Sequence, residues 1–411
     1  MRVVVTTEIE IAEKDLDVNR IEAAVEEAWL AFPTKAWKAL VQRVEAQAEE
    51  HHGGALRRKG REGRWLWTTA GLVRIERQRY LHPADERSIL LFDMRTGLAE
   101  CGGVTPQARE TCALIAGVGP SYEQARWIIA QLWGEAPSVG ALWAWTQVEG
   151  ERGERVERAK RSAFFRDGEL PGAEVPAREF VGLEADSTLV HAWREKGKSH
   201  EVYVGVSYEG KRERGARRAL TEKEVVASVE GAAVFGQDFF VAAQARHNVC
   251  EARTVLYGSD GAPALETIRE ELFPMAWHQL DRAHVVRKTR EAYGWDHLKE
   301  ASRALKLLLG EKRERLEQHL DADRRRLRDR GGALNELKHY VLPRWDWLFA
   351  DRKLRRAGRR LPPHVSGTGA VERTVGVVVG QRMKNRGMGW TKRGAGNILR
   401  VRLRALHLQE L

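Results

Sequence analysis

The sequence predicts an α/β domain with a mixed sheet and flanking helices, preceded by a mostly helical region. Two patterns predict this class. After residue 179, short β-branched runs alternate with longer segments of helical period, whereas most segments before residue 150 have helical period. The chain has 411 residues, of which 43% are hydrophobic and 31% are charged, so it holds enough apolar material for two or three folded domains.

Two segments of different character begin the chain. Residues 1–52 predict an amphipathic helix or a helical pair, because apolar residues recur near helical spacing. Residues 53–100 predict a small basic β module, in which an arginine-rich stretch precedes Trp65 and Trp67. Tryptophans at period two fit one buried strand face, and tryptophans beside arginines fit nucleic-acid contact, so both interpretations stay open.

Residues 101–150 predict three short helices. Ser121 and Ser138 mark helix starts, and Gly134 marks a helix end. Short helices joined by glycine-containing turns suit a helix-turn-helix-like DNA-binding region, although an ordinary three-helix bundle has the same pattern. The charged residues 151–178 contain two prolines and predict a linker before the catalytic domain.

Residues 179–290 predict the first part of a ribonuclease H-like core. The predicted order is strand at 180–185, strand at 201–206, a further strand near 217–220, helix at 222–245, strand at 254–257, helix at 265–272 and strand at 276–280. Antiparallel strands followed by α/β crossovers describe such a sheet. In that layout Asp186 closes the first strand, Asp260 closes the fourth, and the two strand ends lie side by side.

Three acidic residues stand in local contexts that suit a metal site. Asp186 and Asp260 each follow an apolar run, where the sheet fixes a carboxylate that still faces a cleft. Glu372 precedes valines at near-helical spacing, which predicts the first turn of a helix. Mg²⁺ prefers a few carboxylate oxygens and leaves positions open for phosphate and water, and two such ions can catalyse phosphoryl transfer.

More than a hundred residues separate Asp260 from Glu372, which a compact sheet cannot hold as a loop. Residues 291–365 are helix-rich and predict an all-helical insertion. Residues 366–411 then supply a catalytic helix and a basic tail.

Two other acids compete for the metal site. Glu184 shares strand parity with Asp186 and so faces the same side, but it lies deeper in the sheet. Asp238 lies in a Phe-rich helical stretch, which favours a structural role.

Positive charge is concentrated at the end of the chain. The formal net charge is +11, and residues 351–411 hold fifteen Lys or Arg against three Asp or Glu. Polybasic surfaces bind nucleic acid by displacing counterions from phosphates, although such a run also forms a merely solvated face. The predicted DNA-binding residues near Glu372 are Arg373, Arg382, Lys384, Arg386, Lys392 and Arg393.

Cysteine usage and hydropathy predict a cytoplasmic protein. Cys101, Cys112 and Cys250 form no CxxC pair, so neither a disulfide framework nor a cysteine zinc site is indicated. No apolar stretch approaches the roughly 20 residues that span a bilayer. The N-terminal residues include acids where a secretion signal needs cations.

Four motifs resemble a known family: GLEADST, YGSDGA, HQLDRAHVVRK and SGTGAVERTVGVVVGQRMKNRGMGW. Their combination resembles the DDE transposases of bacterial insertion sequences. The most similar group is the Lre-type, long catalogued as an uncharacterised protein family and akin to the Mutator superfamily. The resemblance runs over most of the chain and is strongest from residue 179 to 411.

The resemblance implies that Asp186, Asp260 and Glu372 bind metal, as two Mg²⁺ or Mn²⁺ ions. Asp281 and His284 match the C/DxxH motif that Mutator-like enzymes carry after the second acid. In that role His284 would orient a phosphate or protonate a leaving oxygen. The same two residues also fit a plain hydrogen bond between them at a strand end, and both interpretations stay open. An all-helical insertion between the second and third acids is a known variation in that superfamily.

The function expected from this resemblance is transposition. The protein would bind double-stranded DNA at terminal inverted repeats, cleave it, join it to target DNA, and act as a homo-oligomer on DNA. One alternative is a ribonuclease H-like nuclease without joining activity. Others are a catalytically silent, transposase-derived DNA-binding protein and an RNA-binding protein in which Trp and Arg stack on bases.

Overall fold

A computed structural model describes residues 1–11, 17–51, 56–81, 87–214, 217–363, 365, 369–384 and 387–408. The chain divides into two compact units, which are Met1–Arg152 with Arg404–Leu411 (unit 1) and Gly153–Leu403 (unit 2). Among the described helices, none combines the length and the apolar character that crossing a bilayer requires.

Unit 1 begins with a long helix and a small antiparallel sheet. Its first elements are α1 (Val18–His51), β1 (Arg57–Thr68), β2 (Gly71–Leu81), β3 (Ser88–Leu90) and α2 (Leu91–Thr96). The strands lie in the order β1-β2-β3, and Val41 of α1 packs against Leu66, Val73 and Ile75 of the sheet. The predicted helix and basic hairpin are therefore both present, and the described helical residues form one helix rather than a pair.

The two tryptophans of β1 have different surroundings. Trp65 is 59% exposed and pairs across the hairpin with Arg74, whose guanidinium lies 6.0 Å from the Trp65 ring. Trp67 is half-buried, and its ring lies 6.3 Å from that of Trp133. Of these two tryptophans, Trp65 is therefore the more exposed to another molecule.

Three helices follow in the places that their capping residues predict: α3 (Pro106–Val118), α4 (Tyr122–Trp133) and α5 (Val139–Phe165). The Ser121 hydroxyl accepts a hydrogen bond from the Gln124 amide, and Gly134 ends α4 in the left-handed conformation. The last helix, α5, runs well into the segment predicted as a linker. Its charged residues instead form a helix surface, as in the Arg158–Glu154 pair, and both prolines of that segment lie after the helix end.

Unit 2 contains a mixed five-stranded sheet. The strands of unit 2 are β4 (Val181–His191), β5 (Ser199–Tyr208), β6 (Gly210–Arg214), β7 (Arg217–Thr221), β8 (Glu224–Ser228), β9 (Val255–Ser259) and β10 (Trp277–Leu280). Of these, β6 and β7 form a separate two-stranded sheet. The sheet order is β10-β9-β4-β5-β8. The pairs β4–β5 and β5–β8 are antiparallel, whereas β4–β9 and β9–β10 are parallel.

Three predictions about this sheet are wrong. The strand predicted near 217–220 is β7, but it pairs only with β6, outside the main sheet. The third strand of the sheet is β8, whose residues were assigned to a helix; the β-branched Val225 and Val226 favour a strand, and the helix begins only after Gly231. Asp186 also lies inside β4 and does not close it, because pairing with β5 continues to His191.

Helices cover both faces of the sheet. One face packs on α6 (Ala232–His247) and α7 (Pro263–Leu272), and the other packs on α12 (Ala350–Arg356) and α13 (Ala370–Val375). Along the chain, four helices lie between α7 and α12 and share an apolar core of their own. They are α8 (Arg282–Tyr293), α9 (Leu298–Leu309), α10 (Arg313–Arg326) and α11 (Gly331–Val341). A π-helical segment, Gly376–Lys384, continues α13, and α14 (Lys392–Leu408) follows. The predicted helix-rich stretch before Glu372 is confirmed.

Replacing Gly182 of β4 by alanine is expected to destabilise unit 2. A Cβ at Gly182 would lie 2.5 Å from the buried Tyr208 ring, which has little room to move. We expect a loss of about 1–3 kcal/mol, seen as a lower thermal unfolding midpoint. Gly153→Ala is the matched control, because its Cβ would meet Arg400 no closer than 3.5 Å and alanine favours a helix. Equal midpoints for wild type and Gly182→Ala would contradict this prediction.

Candidate metal centre

Three potential ligands meet at one end of the sheet. Asp186, Asp260 and His284 each offer one atom, and these atoms lie within 4.8 Å of one another. Asp186 comes from the middle of β4, Asp260 follows β9 directly, and His284 lies in the first turn of α8. Because Glu184 pairs with Gly258 in parallel register, two further residues bring Asp186 level with Asp260. The predicted adjacency of the two aspartates is confirmed.

The Asp186 carboxyl is a half-buried acid among other acids. Its pKa is raised, first by burial and then by the neighbouring Asp260 and Asp281 carboxylates. The Ser187 amide, which donates to Asp186 Oδ1 at 2.8 Å, and His284 act in the opposite direction. A bound cation would offset this clustered negative charge, and two carboxylates with one imidazole form a donor set that divalent metals accept.

His284 is oriented by the acid that begins its helix. Asp281 caps α8, with Oδ1 accepting from the Ala283 amide at 2.8 Å and Oδ2 contacting His284 Nδ1 at 2.8 Å. The latter hydrogen bond is the main cause of the raised pKa of His284. It leaves Nε2 as the ring nitrogen able to bind a metal, which is the usual arrangement of a histidine ligand backed by a carboxylate. The hydrogen bond between Asp281 and His284 is confirmed, whereas a role for His284 on phosphate stays a prediction.

The turn that carries Asp260 is held on several sides. Asp260 Oδ1 accepts from the Ala262 amide at 2.9 Å, and the Asp260 carbonyl accepts from the Tyr340 hydroxyl. Ser259 Oγ lies 3.0 Å from Nε2 of the buried His278. Burial lowers the pKa of His278 to about 3, so this ring is neutral near neutral pH and the contact does not change there.

Glu372 lies in the first turn of α13, as the sequence predicts, but it does not join the cluster. Its side chain is 57% exposed, and Oε1 lies 3.9 Å from Nη1 of Arg287. Arg287 lies one turn after His284 on α8, so the Glu372 carboxylate faces the helix that carries the histidine ligand. The three gathered side chains among the described residues are therefore two aspartates and a histidine.

The rival acids both have structural partners. Glu184 is 1% exposed and accepts hydrogen bonds from three backbone amides at the start of α13 and from the Tyr208 hydroxyl. Asp238 accepts from Arg161 at 2.6 Å, which fits its predicted structural role. Neither carboxylate is free to bind a metal as the chain is arranged here.

The predicted DNA-binding residues divide by exposure. Arg382 is only 1% exposed and lies 5.3 Å from the Trp390 ring, so it cannot contact phosphate, since the apolar spacing of its segment turns it inward. Lys384 is exposed and donates to Thr188, two residues beyond Asp186. Exposed side chains also occur at Arg373, Lys392 and Arg393. Arg386 lies outside the described residues.

Sequence reasoning missed two cations beside the cluster. Arg287 and Lys288 are exposed on α8, three and four residues after His284, which is the spacing of one helix face. Lys288 lies 4.7 Å from the Tyr340 ring, the same ring whose hydroxyl holds the Asp260 carbonyl. The HVVRK run that follows Asp281 was the signal that could have identified them.

Comparison with known proteins finds one family. A family model described as "Uncharacterised protein family (UPF0236)" matches residues 11–410. That description names no activity, ligand or site residue. No curated protein matches the chain.

Metal affinity is expected to fall as the pH falls. His284 and Asp186 must be deprotonated to bind metal, and the pKa of each is raised, so binding releases protons. Titration with Mn²⁺, followed by the electron paramagnetic resonance of the free ion, should show weaker binding at pH 6 than at pH 8. His284→Gln should bind more weakly and depend less on pH, whereas the exposed Asp346→Asn should match wild type. Binding independent of pH would contradict this prediction.

Proposed function

We propose that this chain, which belongs to the uncharacterised protein family UPF0236, is a DNA transposase. In this proposal the protein binds the ends of its own mobile element, cleaves them, and joins them to target DNA with two Mg²⁺ or Mn²⁺ ions. The observation that carries the proposal is the convergence of Asp186, Asp260 and His284 within 4.8 Å. The two carboxylates suit hard divalent cations, which such phosphoryl transfer uses.

The sheet supports a ribonuclease H-like assignment for the catalytic domain. In chain order, the first three strands of the sheet are antiparallel neighbours, β4-β5-β8. The last two, β9 and β10, add on the other side of β4 and run parallel to it. Antiparallel strands followed by α/β crossovers, with helices on both faces, are the arrangement expected of such a fold, although the third strand is β8 and not the predicted β7.

The chemistry divides between the ions and the protein. When bound, a pair of divalent ions activates the attacking oxygen and stabilises the leaving oxygen. Asp186 and Asp260 would hold these ions, with Nε2 of His284 as a further ligand. Asp281 keeps the imidazole in one orientation and one tautomer through its bond to Nδ1. Glu372 is the third acid of the proposal; it lies in the first turn of α13, and its Oε1 is 3.9 Å from Nη1 of Arg287 on α8.

Exposed cations around the cluster suit the DNA backbone. Arg287 and Lys288 lie on the α8 side, and Lys384 lies on the β4 side near Thr188. Lys and Arg at these positions would neutralise phosphate charge and set the register of the scissile bond. Because Arg287 lies 3.9 Å from Glu372, a phosphate at this place would contact the arginine next to the third acid.

Unit 1 offers a separate surface for DNA. On the outer face of the β1–β2 hairpin, Arg61, Trp65 and Arg74 are exposed, and Arg57 and Lys59 extend the positive charge along β1. None of the four cations forms an ion pair with a described residue. A ribbon with such a face suits phosphate contact, and the protein would bind the two element ends as a homo-oligomer.

Strand cleavage and joining on a labelled duplex that carries the DNA bordering the gene tests the catalytic proposal. With Mg²⁺, Asp186→Asn and Asp260→Asn should lose at least about 100-fold in cleavage rate, because each loses a metal ligand. Both variants should still bind the duplex, and Asp346→Asn should cleave as wild type does.

The same assay separates the alternatives. Cleavage without joined products would favour a nuclease of the same fold. Tight binding by wild type with neither cleavage nor joining, in Mg²⁺ and in Mn²⁺, would overturn the enzymatic proposal and favour a silent DNA-binding protein.

The hairpin surface gives a second prediction. Arg61→Ala and Arg74→Ala should weaken DNA binding for all sequences and lower the slope of log K against log salt by about 1 each. Fluorescence anisotropy at several salt concentrations measures both quantities. Arg166→Ala, which removes an exposed arginine outside the hairpin, should bind as wild type does. An unchanged salt slope in both hairpin variants would place the DNA contact elsewhere.

A further inference from the structure

Glu184 is a buried acid that forms no ion pair with a Lys or Arg among the described residues. It is 1% exposed, and both of its oxygens are occupied by hydrogen bonds. Oε2 accepts from the amides of Gly369 at 2.8 Å, Ala370 at 2.7 Å and Val371 at 3.1 Å. Oε1 accepts from the Tyr208 hydroxyl at 2.7 Å. A buried carboxylate is normally compensated by a cation, and here backbone amides take that role.

The sheet makes room for this contact. Every second residue of a strand lies on the same face, so Gly182, Glu184 and Asp186 share the face of β4 that α13 covers. The Tyr208 ring occupies the space above Gly182, where a Cβ would lie only 2.5 Å away. From there its hydroxyl reaches Glu184. The glycine, the tyrosine and the glutamate therefore form one unit that receives the start of α13.

The spacing along the two elements links Glu184 to the proposed site. Asp186 lies two residues after Glu184 on β4, and Glu372 lies two residues after Ala370 on α13. Because the Ala370 amide is held by Glu184, the position of Glu372 along β4 is set by the same contact. Glu184 touches neither the cluster nor Glu372 in these hydrogen bonds, so any effect on Glu372 passes through the backbone of α13.

We propose that Glu184 is the positioning residue for Glu372. Its carboxylate holds the first turn of α13 against β4, so that Glu372 faces α8, the helix that carries His284. This inference rests on the proposed function only in making Glu372 the third acid of a metal site. Backbone amides can only donate, so the contact requires an acceptor, and a negative charge at the start of a helix strengthens it.

Two variants separate the acceptor from the charge. Glu184→Gln keeps the shape and one acceptor oxygen but removes the charge, and Glu184→Met removes every acceptor. Glu201→Gln is the matched control, because Glu201 lies on the neighbouring strand and accepts from Tyr203 at 2.7 Å without touching α13. Hydrogen exchange of the segment 369–375 should be fastest in Glu184→Met, intermediate in Glu184→Gln, and at the wild-type rate in Glu201→Gln.

A double-mutant cycle distinguishes positioning from a merely structural role. Mn²⁺ affinity and the rate of DNA cleavage are measured for wild type, Glu184→Gln, Glu372→Gln and the double variant. We expect Glu184→Gln to lose about 10-fold in each quantity, as loss of a group that supports a ligand does. The double variant should lose no more than Glu372→Gln alone, because Glu184 acts only through Glu372.

The outcomes are distinct. Losses that multiply in the double variant, or unchanged exchange at 369–375 in Glu184→Met, would overturn the positioning role. If wild type cleaves no DNA, the proposed function fails, while exchange and Mn²⁺ binding still decide the role of Glu184. If wild type and Glu184→Gln cleave equally well, the cleavage step of the proposed function stands and the positioning role is overturned.

Discussion

The parallel pairing of β4 with β9 is the constraint on which the site depends. Main-chain hydrogen bonds set the register at Glu184 opposite Gly258, and this register brings Asp186 level with Asp260. A shift of one residue would turn Asp186 to the opposite face, toward the apolar core formed with α6 and α7. The antiparallel partner β5 holds β4 straight past Asp186, so this acid projects from a rigid strand rather than a loop.

The acids of this region differ in how completely they are hydrogen-bonded. Glu184 and Asp281 are buried, and each has both oxygens in use by backbone or side-chain donors. Asp186 and Asp260 are half-buried, and each accepts one local amide hydrogen bond. Carboxylates whose two oxygens both accept hydrogen bonds hold the structure together, whereas carboxylates with free lone pairs can bind a cation. The same residue type therefore takes two roles within a few residues of sequence.

Charge near the C-terminus is also divided between the interior and the surface. Arg382 is buried against Trp390, and Arg402 is buried where its Nε donates to the Val377 carbonyl at 3.1 Å. The second contact attaches α14 to the π-helical segment that continues α13. Counting Lys and Arg in the sequence therefore overstates the charge that could face DNA, because part of it supports the helix that carries Glu372.

The sequence by itself determined the local elements: the helix that starts at Ser121, the basic hairpin, the strand before Asp260, and the helix of Glu372. Short-range patterns of capping, alternation and turn residues decide these. Only the tertiary structure decided that β8 and not β7 joins the sheet, and that His284 rather than Glu372 meets the two aspartates. Those outcomes depend on pairing between segments far apart in the chain, for which the local pattern of a single sequence holds no register.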